Sequence, residues 1–385
     1  MKNILIIHQS AELYGSDKTL LYLLQHLDRT KFNPIVILPS DGLLKSALEK
    51  HSITVVIAPV IKLYRNLFKP KNLFLFFKDS IKSYKTLKKL HQKHHFEIVY
   101  SNTLAVLAGV LFSKINKIKH LWHVHEIIEK PNVFRKLFTI ILGFKSITTI
   151  VYNSQATANF WNTTNVLKSK NVTIYNGLQT PTKILTSKEI ENIKKNLLKV
   201  NPDDILIALV GRISRWKGHF FLLDAFAKIN YKYPNVRLVF VGETPPNQEF
   251  FLHNLERKIS ELNLENDVQI IPFQQEIQTV WQSIDIAVVP SIEPEPFGMV
   301  AIEAMFAHKP VIGSNHGGLK EIIKDNETGF LEEPNNPDAL AQALQKLIDN
   351  PETRIAFGEK GYQRATQLFS IENYVSSFEN LLLKM

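Results

Sequence analysis

The stretch IALVGRISRWKGHFFLLDAF, residues 207–226, decides the fold. It opens with an apolar run that ends at Gly211, and an unbroken apolar run is typical of a strand buried on both faces. A polar loop follows, and an apolar helical pattern begins near Gly218. A buried strand, a loop and a helix are the repeating unit of a parallel sheet that is covered by helices on both faces.

The same alternation continues on both sides of this stretch. Strands are predicted by NILIIH, PIVIL, ITVVIAP, EIVYSN, HLWHVHE, ITTIVYNS and VTIYNG before it, and by VRLVFVG, VQIIP, IDIAVVPS and PVIGS after it. Helical patterns separate them, the first from about Thr19. We therefore predict an α/β fold with two Rossmann-like, doubly wound parallel-sheet domains. Because such sheets bind ligands at the carboxyl ends of their strands, we expect the domains to face a central cleft.

Domain boundaries follow from the place where the pattern loosens. Residues 181–204 are rich in Pro, Thr, Lys and Asn and contain one polar helical pattern, which is typical of a linker. We predict an N-terminal domain over residues 1–180 and a C-terminal domain over residues 205–365. Residues 366–385 are predicted to form a terminal helix that packs back on the N-terminal domain.

Composition restricts the class of protein. The chain contains no Cys, which excludes disulfides, thiolate metal sites and cysteine nucleophiles and fits a reducing compartment. The apolar run Ile4 to Ile7 is too short for a signal peptide and reads as a first strand. No stretch approaches the roughly 18 uncharged apolar residues of a spanning helix. We therefore expect a cytoplasmic protein.

The net charge of +10 is unevenly distributed. Residues 1–180 hold 25 Lys and Arg against 9 Asp and Glu, whereas the remainder hold 21 against 27. The segment from Lys62 to His95 concentrates this charge among Phe and Leu at Lys69, Lys71, Lys78, Lys82, Lys85, Lys88, Lys89 and Lys93. The pattern fits either a solvated helix face or peripheral contact with anionic lipid. Nucleic acid is not a predicted partner, because no binding module is recognisable.

Arg212 and Lys217 lie in the loop of the opening stretch, beside a predicted helix start at Gly218. Point charges next to a helix dipole and unpaired backbone N–H groups favour a diphosphate. The alternative is a pair of solvated surface cations.

A second informative stretch is PSIEPEPFGMVAIEAM, residues 290–305. Glu295 lies in a Pro-rich loop after a buried strand, Gly298 is suited to open a helix, and Glu303 falls about one and a half turns into that helix. If phosphates dock at the helix start, Glu303 reaches the ribose hydroxyls of a nucleotide and Glu295 faces the sugar. A solvated helix face is the alternative for either glutamate.

The N-terminal half offers weaker candidates. We expect Gly15 and Ser16 between the first strand and its helix, where a glycine lets backbone approach a phosphate or an acceptor, although a tight turn fits equally well. In LWHVHEI, alternation places His123 and His125 on one face and Glu126 on the other if the strand continues. A zinc site is not predicted, because no third ligand with recognisable spacing follows.

These segments together resemble the GT4 group of retaining GT-B glycosyltransferases (glycosyl transferases group 1). EPFGMVAIE is similar to the family's glutamate, seven residues, glutamate motif, and GRISRWKG is similar to its donor-phosphate loop. GGLKEII followed by NETGFL, YNG at residues 175–177 and the early loop YGSDKTL also fit, so the matches cover nearly the whole chain in order. Ser16 departs from the family, which usually has a second glycine there.

The resemblance implies a role for each matching position. Arg212 and Lys217 would neutralise the departing diphosphate, Glu295 would contact hydroxyls of the transferred sugar, and Glu303 would hold the ribose. The active-site histidine would be His125, with His123 as the alternative. The remaining donor-binding positions would be Gly15, Ser16, Gly211, Gly242, Phe297, Gly298 and Met299.

The predicted function is transfer of a sugar from a UDP- or GDP-sugar to a glycan or lipid-linked acceptor. The resemblance implies retention of configuration without a protein nucleophile, so positioning and electrostatic stabilisation would carry catalysis. No metal or other cofactor is predicted, since no Asp-x-Asp pair follows a strand. The alternatives are a nucleotide-sugar epimerase of the same fold and a non-catalytic nucleotide-sugar-binding or scaffold protein, although scaffolding would need neither both glutamates nor the two cations.

Overall fold

The computed structural model describes residues 1–61 and 70–385. Of the predicted basic segment, Lys62 to Lys69 and the side chain of Lys71 therefore lie outside the described residues. The chain divides into two compact units, one formed by Met1–Leu178 with Ile371–Met385 and the other by Gln179–Ser370.

The first unit is built on a parallel sheet. The strands that the structure describes there are β1 (Lys2–His8), β2 (Phe32–Leu38), β3 (Thr54–Ile57), β4 (Ile98–Asn102), β5 (Lys119–Val124), β6 (Thr149–Tyr152) and β7 (Asn171–Thr173). They lie in the order β3-β2-β1-β4-β5-β6-β7. The helices are α1 (Gly15–His26), α2 (Leu43–Lys50), α3 (Pro70–His94), α4 (Ala108–Asn116), α5 (Asn132–Leu142), α6 (Gln155–Trp161) and α7 (Asn165–Lys170).

The second unit repeats this plan. Its strands are β8 (Ile205–Val210), β9 (Val236–Val241), β10 (Val268–Ile271), β11 (Ile286–Val289), β12 (Val311–Ser314) and β13 (Gly329–Glu332), in the order β10-β9-β8-β11-β12-β13. Its helices are α8 (Ser187–Asn196), α9 (His219–Ala227), α10 (Phe250–Glu261), α11 (Ile277–Ser283), α12 (Met299–Phe306), α13 (Leu319–Ile322), α14 (Pro337–Asp349) and α15 (Pro351–Leu368), with a 3-10 turn at Asn230–Lys232. The chain ends with α16 (Ile371–Lys384), which belongs to the first unit.

Each sheet is buried on both faces, as the unbroken apolar strands predict. In β1, Ile4 and Ile6 pack in a cluster with α1, α2 and α16, whereas Leu5 and Ile7 pack in a cluster with residues of α3 and α4. Successive side chains of a strand point to opposite faces, so one strand supplies both clusters. The predicted pair of Rossmann-like, parallel-sheet domains is confirmed.

In both sheets, the order in which successive strands are added reverses at a central pair of strands, β1 and β4 in the first and β8 and β11 in the second. The chain runs outward from β1 to β3 and then returns to continue from β4, and it does the same from β8 to β10 and then from β11. The loops after the two central strands diverge at such a point and leave a crevice at the carboxyl edge of the sheet. The candidate site residues of each unit lie at this edge.

Three elements differ from the sequence prediction. Helix α1 begins at Gly15 instead of about Thr19, because the Asp17 side chain accepts the Tyr14 N–H and caps the helix start. Gly15 and Ser16 are therefore the first residues of the helix and do not lie between strand and helix. Strand β13 was not predicted, because it is only four residues long, follows a turn and lies at the edge of the sheet beside β12. Helix α4 begins at Ala108, later than the predicted helix near residue 103.

Candidate active site

In the second unit, the loops that follow β8 and β11 interlock. The Ile292 N–H donates to the Trp216 carbonyl oxygen at 2.8 Å. Gly218 has φ +82°, and a Cβ at this position would lie 1.9 Å from the Pro290 carbonyl oxygen. A side chain at residue 218 would therefore strain the backbone and separate the two loops. This contact explains why the predicted opening of α9 at Gly218 carries no side chain.

The interlocked loops bring Lys217 and Glu295 together. Lys217 Nζ lies 2.6 Å from Glu295 Oε1, and their side chains are 16% and 6% exposed. The Ser291 hydroxyl donates to the same Oε1 at 2.6 Å, and Lys217 Nζ lies 4.2 Å from the Trp216 ring centroid. Removal of either charge from so enclosed a pair leaves its partner buried and unpaired. The ammonium group is thus fixed in position by a carboxylate and an indole, and the carboxylate is held in turn by the Ser291 hydroxyl.

A glycine turn after β12 packs against the backbone of the loop that contains Glu295. Gly317 has φ +60°, and a Cβ there would lie 2.3 Å from the Glu295 carbonyl oxygen. The next residue, Gly318, donates its N–H to that oxygen at 2.7 Å. His316 Nε2 donates to the Ser291 carbonyl oxygen at 2.7 Å. Three consecutive residues of this turn therefore fix the backbone that presents Glu295.

Helix α12 begins where the sequence predicts, with Gly298 as its N-cap and Met299 as its first residue. Phe297 is buried beneath this start. Glu303 lies in the second turn and is also buried, and its Oε2 accepts the Trp281 Nε1–H at 3.2 Å. The Glu303 carboxylate is therefore oriented by an indole of the neighbouring helix α11.

A cavity of about 440 Å³ adjoins the cationic loop. Its lining includes the two predicted cations, Arg212 and Lys217, and Ser214 of the same loop. Pro245, Gln248 and Phe250, which lie before or at the start of α10, also line it. Gly211 and Gly242 directly follow the neighbouring strands β8 and β9, and a Cβ at Gly242 would lie 2.1 Å from the Gly211 carbonyl oxygen. The close approach of these two backbones accounts for glycine at residue 242.

In the first unit, the carboxyl edge of the sheet carries a chain of hydrogen-bonded side chains. His8 Nε2 lies 2.6 Å from Asp17 Oδ1, and Asn102 Nδ2 lies 3.0 Å from His8 Nδ1. Asn102 Oδ1 lies 2.9 Å from His125 Nε2. The chain links the ends of β1, β4 and β5 to the first turn of α1. His125, the predicted active-site histidine, is the last member of this chain of side chains, and it is partly exposed.

The alternative histidine, His123, lies on the same face, as strand alternation predicts. The ring centroids of His123 and His125 are 3.8 Å apart. His123 is fully buried, and its Nδ1 is bonded to the Tyr100 hydroxyl at 2.8 Å. Burial lowers the pKa of His125 to about 3 and holds the pKa of His123 well below its usual range. Both rings are therefore neutral at neutral pH.

Glu126 takes a structural position that the sequence did not reveal. Strand alternation predicts Glu126 on the opposite face if the strand continues, but strand β5 ends at Val124. The Glu126 carboxylate instead turns back toward the strand ends. It accepts the backbone N–H groups of Leu104 at 3.0 Å and His125 at 2.9 Å. Burial nevertheless raises the pKa of Glu126 to about 7. The side chain thus joins the ends of β4 and β5 next to His125.

At the start of α1, a Cβ at Gly15 would meet no atom within 4 Å, so open space surrounds this position. The Ser16 carbonyl oxygen accepts from Asn102 Nδ2 at 3.4 Å. The predicted pair Gly15 and Ser16 is therefore tied to the same polar chain as His125.

Several residues that shape the two edges were missed by the sequence reasoning: His8, Asp17, Asn102, Trp281, Ser291, Gly317 and Gly318. Gly317 and Gly318 stand in the GGLKEII segment, which was a detectable signal. His8 ends the first predicted strand, which was another. Trp281 gave no signal, because only the packing of α11 on α12 brings its ring to Glu303.

Comparison with known proteins identifies the family of both halves of the chain. The family model for glycosyl transferases group 1 matches residues 189–364, and the model for Glycosyltransferase Family 4 matches residues 14–180. Trehalose synthase of Pyrococcus horikoshii is 30% identical over 212 residues, which are 51% of this chain and 50% of that protein. D-inositol 3-phosphate glycosyltransferase of Corynebacterium glutamicum is 33% identical over 192 residues, 46% of this chain and 45% of that protein. The matched region spans about half the length of these curated relatives.

Solved structures resemble the whole chain. Anabaena HepE, crystallised in complex with UDP and glucose, has a TM-score of 0.87 at 24% identity and covers 100% of both chains. A glycosyltransferase from Rickettsia africae has a TM-score of 0.82 at 24% identity, over 99% of this chain and 97% of that one. At these identities the likeness concerns the fold.

Proposed function

The chain belongs to the GT4-type glycosyltransferases, the glycosyl transferases group 1, and from this premise we propose that it transfers a sugar from a nucleotide-diphosphate sugar to a glycan or lipid-linked acceptor. The proposed setting is the synthesis of a surface polysaccharide or glycolipid. We infer that the configuration of the transferred sugar is retained and that no metal takes part.

One observation carries the proposal: in the second unit, the cationic loop after β8 is bonded to the loop that leads into α12. Lys217 Nζ is 2.6 Å from the Glu295 carboxylate, and Gly298 caps α12 three residues later in the chain. A diphosphate at this point would meet the ammonium group, the Arg212 guanidinium from the same loop and the positive end of the α12 dipole. Glu295 offsets one of the two cations, so the second cation and the α12 dipole leave an excess of positive charge that favours an anionic ligand over a neutral one.

The proposed reaction balances without a protein nucleophile. The bond between the anomeric carbon and the β-phosphate oxygen breaks, and the acceptor oxygen forms its bond to that carbon on the same face. The acceptor proton passes to the departing phosphate oxygen. Charge that develops on the diphosphate would be stabilised by Arg212 and Lys217, and fixed donors of this kind are worth roughly 100- to 1,000-fold in rate.

UDP is the first nucleotide to test, because the structurally similar Anabaena HepE was crystallised with it. Glu303, whose carboxylate is oriented by Trp281 in the second turn of α12, would accept hydrogen bonds from ribose hydroxyls. Glu295, presented by the glycine turn, would accept from hydroxyls of the transferred sugar.

A screen of UDP-, GDP- and ADP-sugars by thermal shift and by slow donor hydrolysis tests the proposal. We expect one nucleotide class to raise the melting temperature and to be hydrolysed without added acceptor. A nucleotide sugar that binds but is never cleaved would favour a scaffold, and conversion of the sugar without cleavage would favour an epimerase. Binding of none of the three classes would refute the proposal.

We further propose that the first unit contacts anionic lipid through α3, which would bring the enzyme to a lipid-linked acceptor. Phe77 and Ile81 are 60% and 59% exposed on this helix. The side chains of Lys78, Lys82 and Lys85 beside them are also exposed. Exposed apolar side chains flanked by lysines are typical of helices that lie on a membrane surface. In the described part of the chain, no helix is long and apolar enough to cross a bilayer.

Sedimentation with vesicles tests this contact. Binding to phosphatidylglycerol vesicles should fall about 10-fold or more in a variant with Lys78, Lys82 and Lys85 changed to Ala, since each lysine near an anionic surface is worth about 1 kcal/mol. A matched variant with three exposed lysines of the second unit changed, Lys188, Lys195 and Lys228, should bind like the wild type. Equal binding of both variants would contradict the role of α3.

A further inference from the structure

The polar chain of the first unit fixes the positions of its own protons. Its starting point is the amide of Asn102, whose Nδ2 lies 3.4 Å from the Ser16 carbonyl oxygen. A backbone carbonyl oxygen only accepts hydrogen bonds, so the group that faces it must be the donating NH₂. The Tyr100 hydroxyl, 3.4 Å from Asn102 Oδ1 on the other side, agrees with this orientation.

The orientation of Asn102 determines the state of His8. The Asn102 NH₂ group donates to His8 Nδ1 at 3.0 Å, so this nitrogen must carry a lone pair. The proton of the neutral ring is then on Nε2, where it is donated to Asp17 Oδ1 at 2.6 Å. Asp17 is held in turn by the Ser10 hydroxyl and the Tyr14 N–H, at 3.2 and 3.1 Å. The carboxylate therefore anchors one end of the chain.

The same orientation determines the state of His125. Asn102 Oδ1 is an acceptor, so His125 Nε2, 2.9 Å away, must donate its proton to it. Burial keeps the His125 ring neutral, with a pKa lowered to about 3. A neutral ring with its proton on Nε2 has a lone pair on Nδ1. Within residues 1–61 and 70–385, no hydrogen-bond partner of Nδ1 is found, and His125 is partly exposed.

We propose that Asp17, His8 and Asn102 are positioning residues that hold His125 in its Nε2–H tautomer, so that Nδ1 accepts a hydrogen bond from a sugar hydroxyl. The hydroxyl contact rests on the proposed function, because a sugar is the hydroxyl-bearing substrate of that reaction. The opposite tautomer would present an N–H group instead, which donates to the hydroxyl oxygen and leaves the hydroxyl proton without an acceptor.

The tautomer is measured directly by ¹⁵N NMR of histidine side chains in the full chain. We expect a neutral Nε2–H ring for His125 at pH 7, with its signal assigned by loss in His125→Gln. Asn102→Ala removes the acceptor and should convert the signal to a mixture of both tautomers. Asn102→Asp retains an oxygen that faces Nε2 and should restore the Nε2–H form. An Nδ1–H ring in the wild type, or no change in Asn102→Ala, would overturn the proposal.

A matched control is available one residue away. Ser101 Oγ is bonded to His120 Nε2 at 3.0 Å, in a fully buried pair on β4 and β5 that is not part of the hydrogen-bond chain to His125. Ser101→Ala should leave the His125 signal unchanged. If Ser101→Ala alters the tautomer as much as Asn102→Ala does, the effect is general disturbance of the sheet edge and the positioning role is refuted.

Kinetic assays then determine whether the hydroxyl that donates to His125 Nδ1 belongs to the transferred sugar or to the acceptor. Asn102→Ala should lower kcat about 10- to 100-fold with little change in KM for the nucleotide sugar, by analogy with residues that orient metal-ligating histidines. If the hydroxyl belongs to the transferred sugar, donor hydrolysis without acceptor falls by the same factor. If it belongs to the acceptor, only transfer falls. Unchanged rates in both assays would overturn the hydroxyl contact, whereas a wild type that cleaves no nucleotide sugar would overturn the proposed function while the NMR result stands.

Discussion

The two units have the same strand order around their central strands, yet different kinds of side chain meet at the corresponding edges. After β8 and β11, charged side chains meet in the Lys217–Glu295 pair. After β1 and β4, His125 is bonded to the Asn102 amide, which is bonded to the His8 imidazole, and the Asp17 carboxylate lies at the far end of the chain. The fold thus provides a place for a site, and the residues on its loops determine what can bind there.

The contacts that hold the site residues in place at the two edges also differ. In the second unit, glycines at residues 218 and 317 let loops pack backbone against backbone, and this packing presents the Lys217–Glu295 pair. In the first unit, side chains bond to one another across strands, and burial keeps the histidines neutral. We infer that the second unit is suited to a charged diphosphate and the first to neutral hydroxyl groups.

The largest expected effect is loss of the Lys217 charge. Lys217→Ala should lower kcat by about 100- to 1,000-fold, the usual result of removing a fixed group that stabilises charge in the transition state. Steady-state kinetics with the nucleotide sugar that the screen identifies would measure it. A larger loss from Asn102→Ala than from Lys217→Ala would reverse the proposed division between the units.

Arg215 provides the control for this experiment. It lies in the same loop and is paired with Glu293, but both side chains are well exposed. An exposed ion pair contributes little, about 0–1 kcal/mol, so Arg215→Ala should change the melting temperature and kcat only slightly. Equal losses in Arg215→Ala and Lys217→Ala would mean that overall loop charge, and not the position of Lys217, matters.

A smaller effect is expected at Glu303. Glu303→Ala should raise the Kd for the nucleotide sugar about 10-fold or more, because a hydrogen bond to a charged group is worth about 1.5–3 kcal/mol. The change also leaves the Trp281 N–H without its acceptor, so the melting temperature should fall. Glu303→Gln keeps an acceptor for Trp281 and separates the two effects, since it should weaken binding with little loss of stability. Unchanged Kd in both variants would remove Glu303 from the donor site.

The smallest expected effect is a pH dependence of stability in the first unit. The pKa of Glu126 is raised from 4.5 to about 7, so the folded state binds this proton more tightly than the unfolded state does. Its contribution to the free energy of unfolding is complete below about pH 4.5 and is lost as pH rises through about 7. Urea unfolding of wild type and Glu126→Gln should therefore differ in slope between pH 5 and 7. Parallel curves would show that the Glu126 carboxyl has an ordinary pKa.

The sequence was sufficient for features that depend on local pattern. Unbroken apolar runs predicted the strands of both sheets, and glycines predicted the starts of α9 and α12. The placement of Lys217 and Glu295 on two loops of one sheet edge followed from the same pattern, because parallel strands end at the same edge.

Features that depend on distant contacts were beyond the sequence. The link between His8 and Asn102 joins residues 94 positions apart, and it exists because β1 and β4 are neighbours in the sheet. The start of α1 was misplaced because the capping contact comes from the Asp17 side chain within the helix. Trp281 reaches Glu303 only through packing of one helix on another. Spacing along the chain contains no record of such pairs.

The most direct test is a crystal structure of the protein with UDP, and a second one with GDP. The account predicts a diphosphate at the start of α12, with its oxygens about 2.7–2.9 Å from Lys217 Nζ and the Arg212 guanidinium. A diphosphate bound in the second unit away from both side chains, or bound beside the neutral histidines of the first unit, would contradict it.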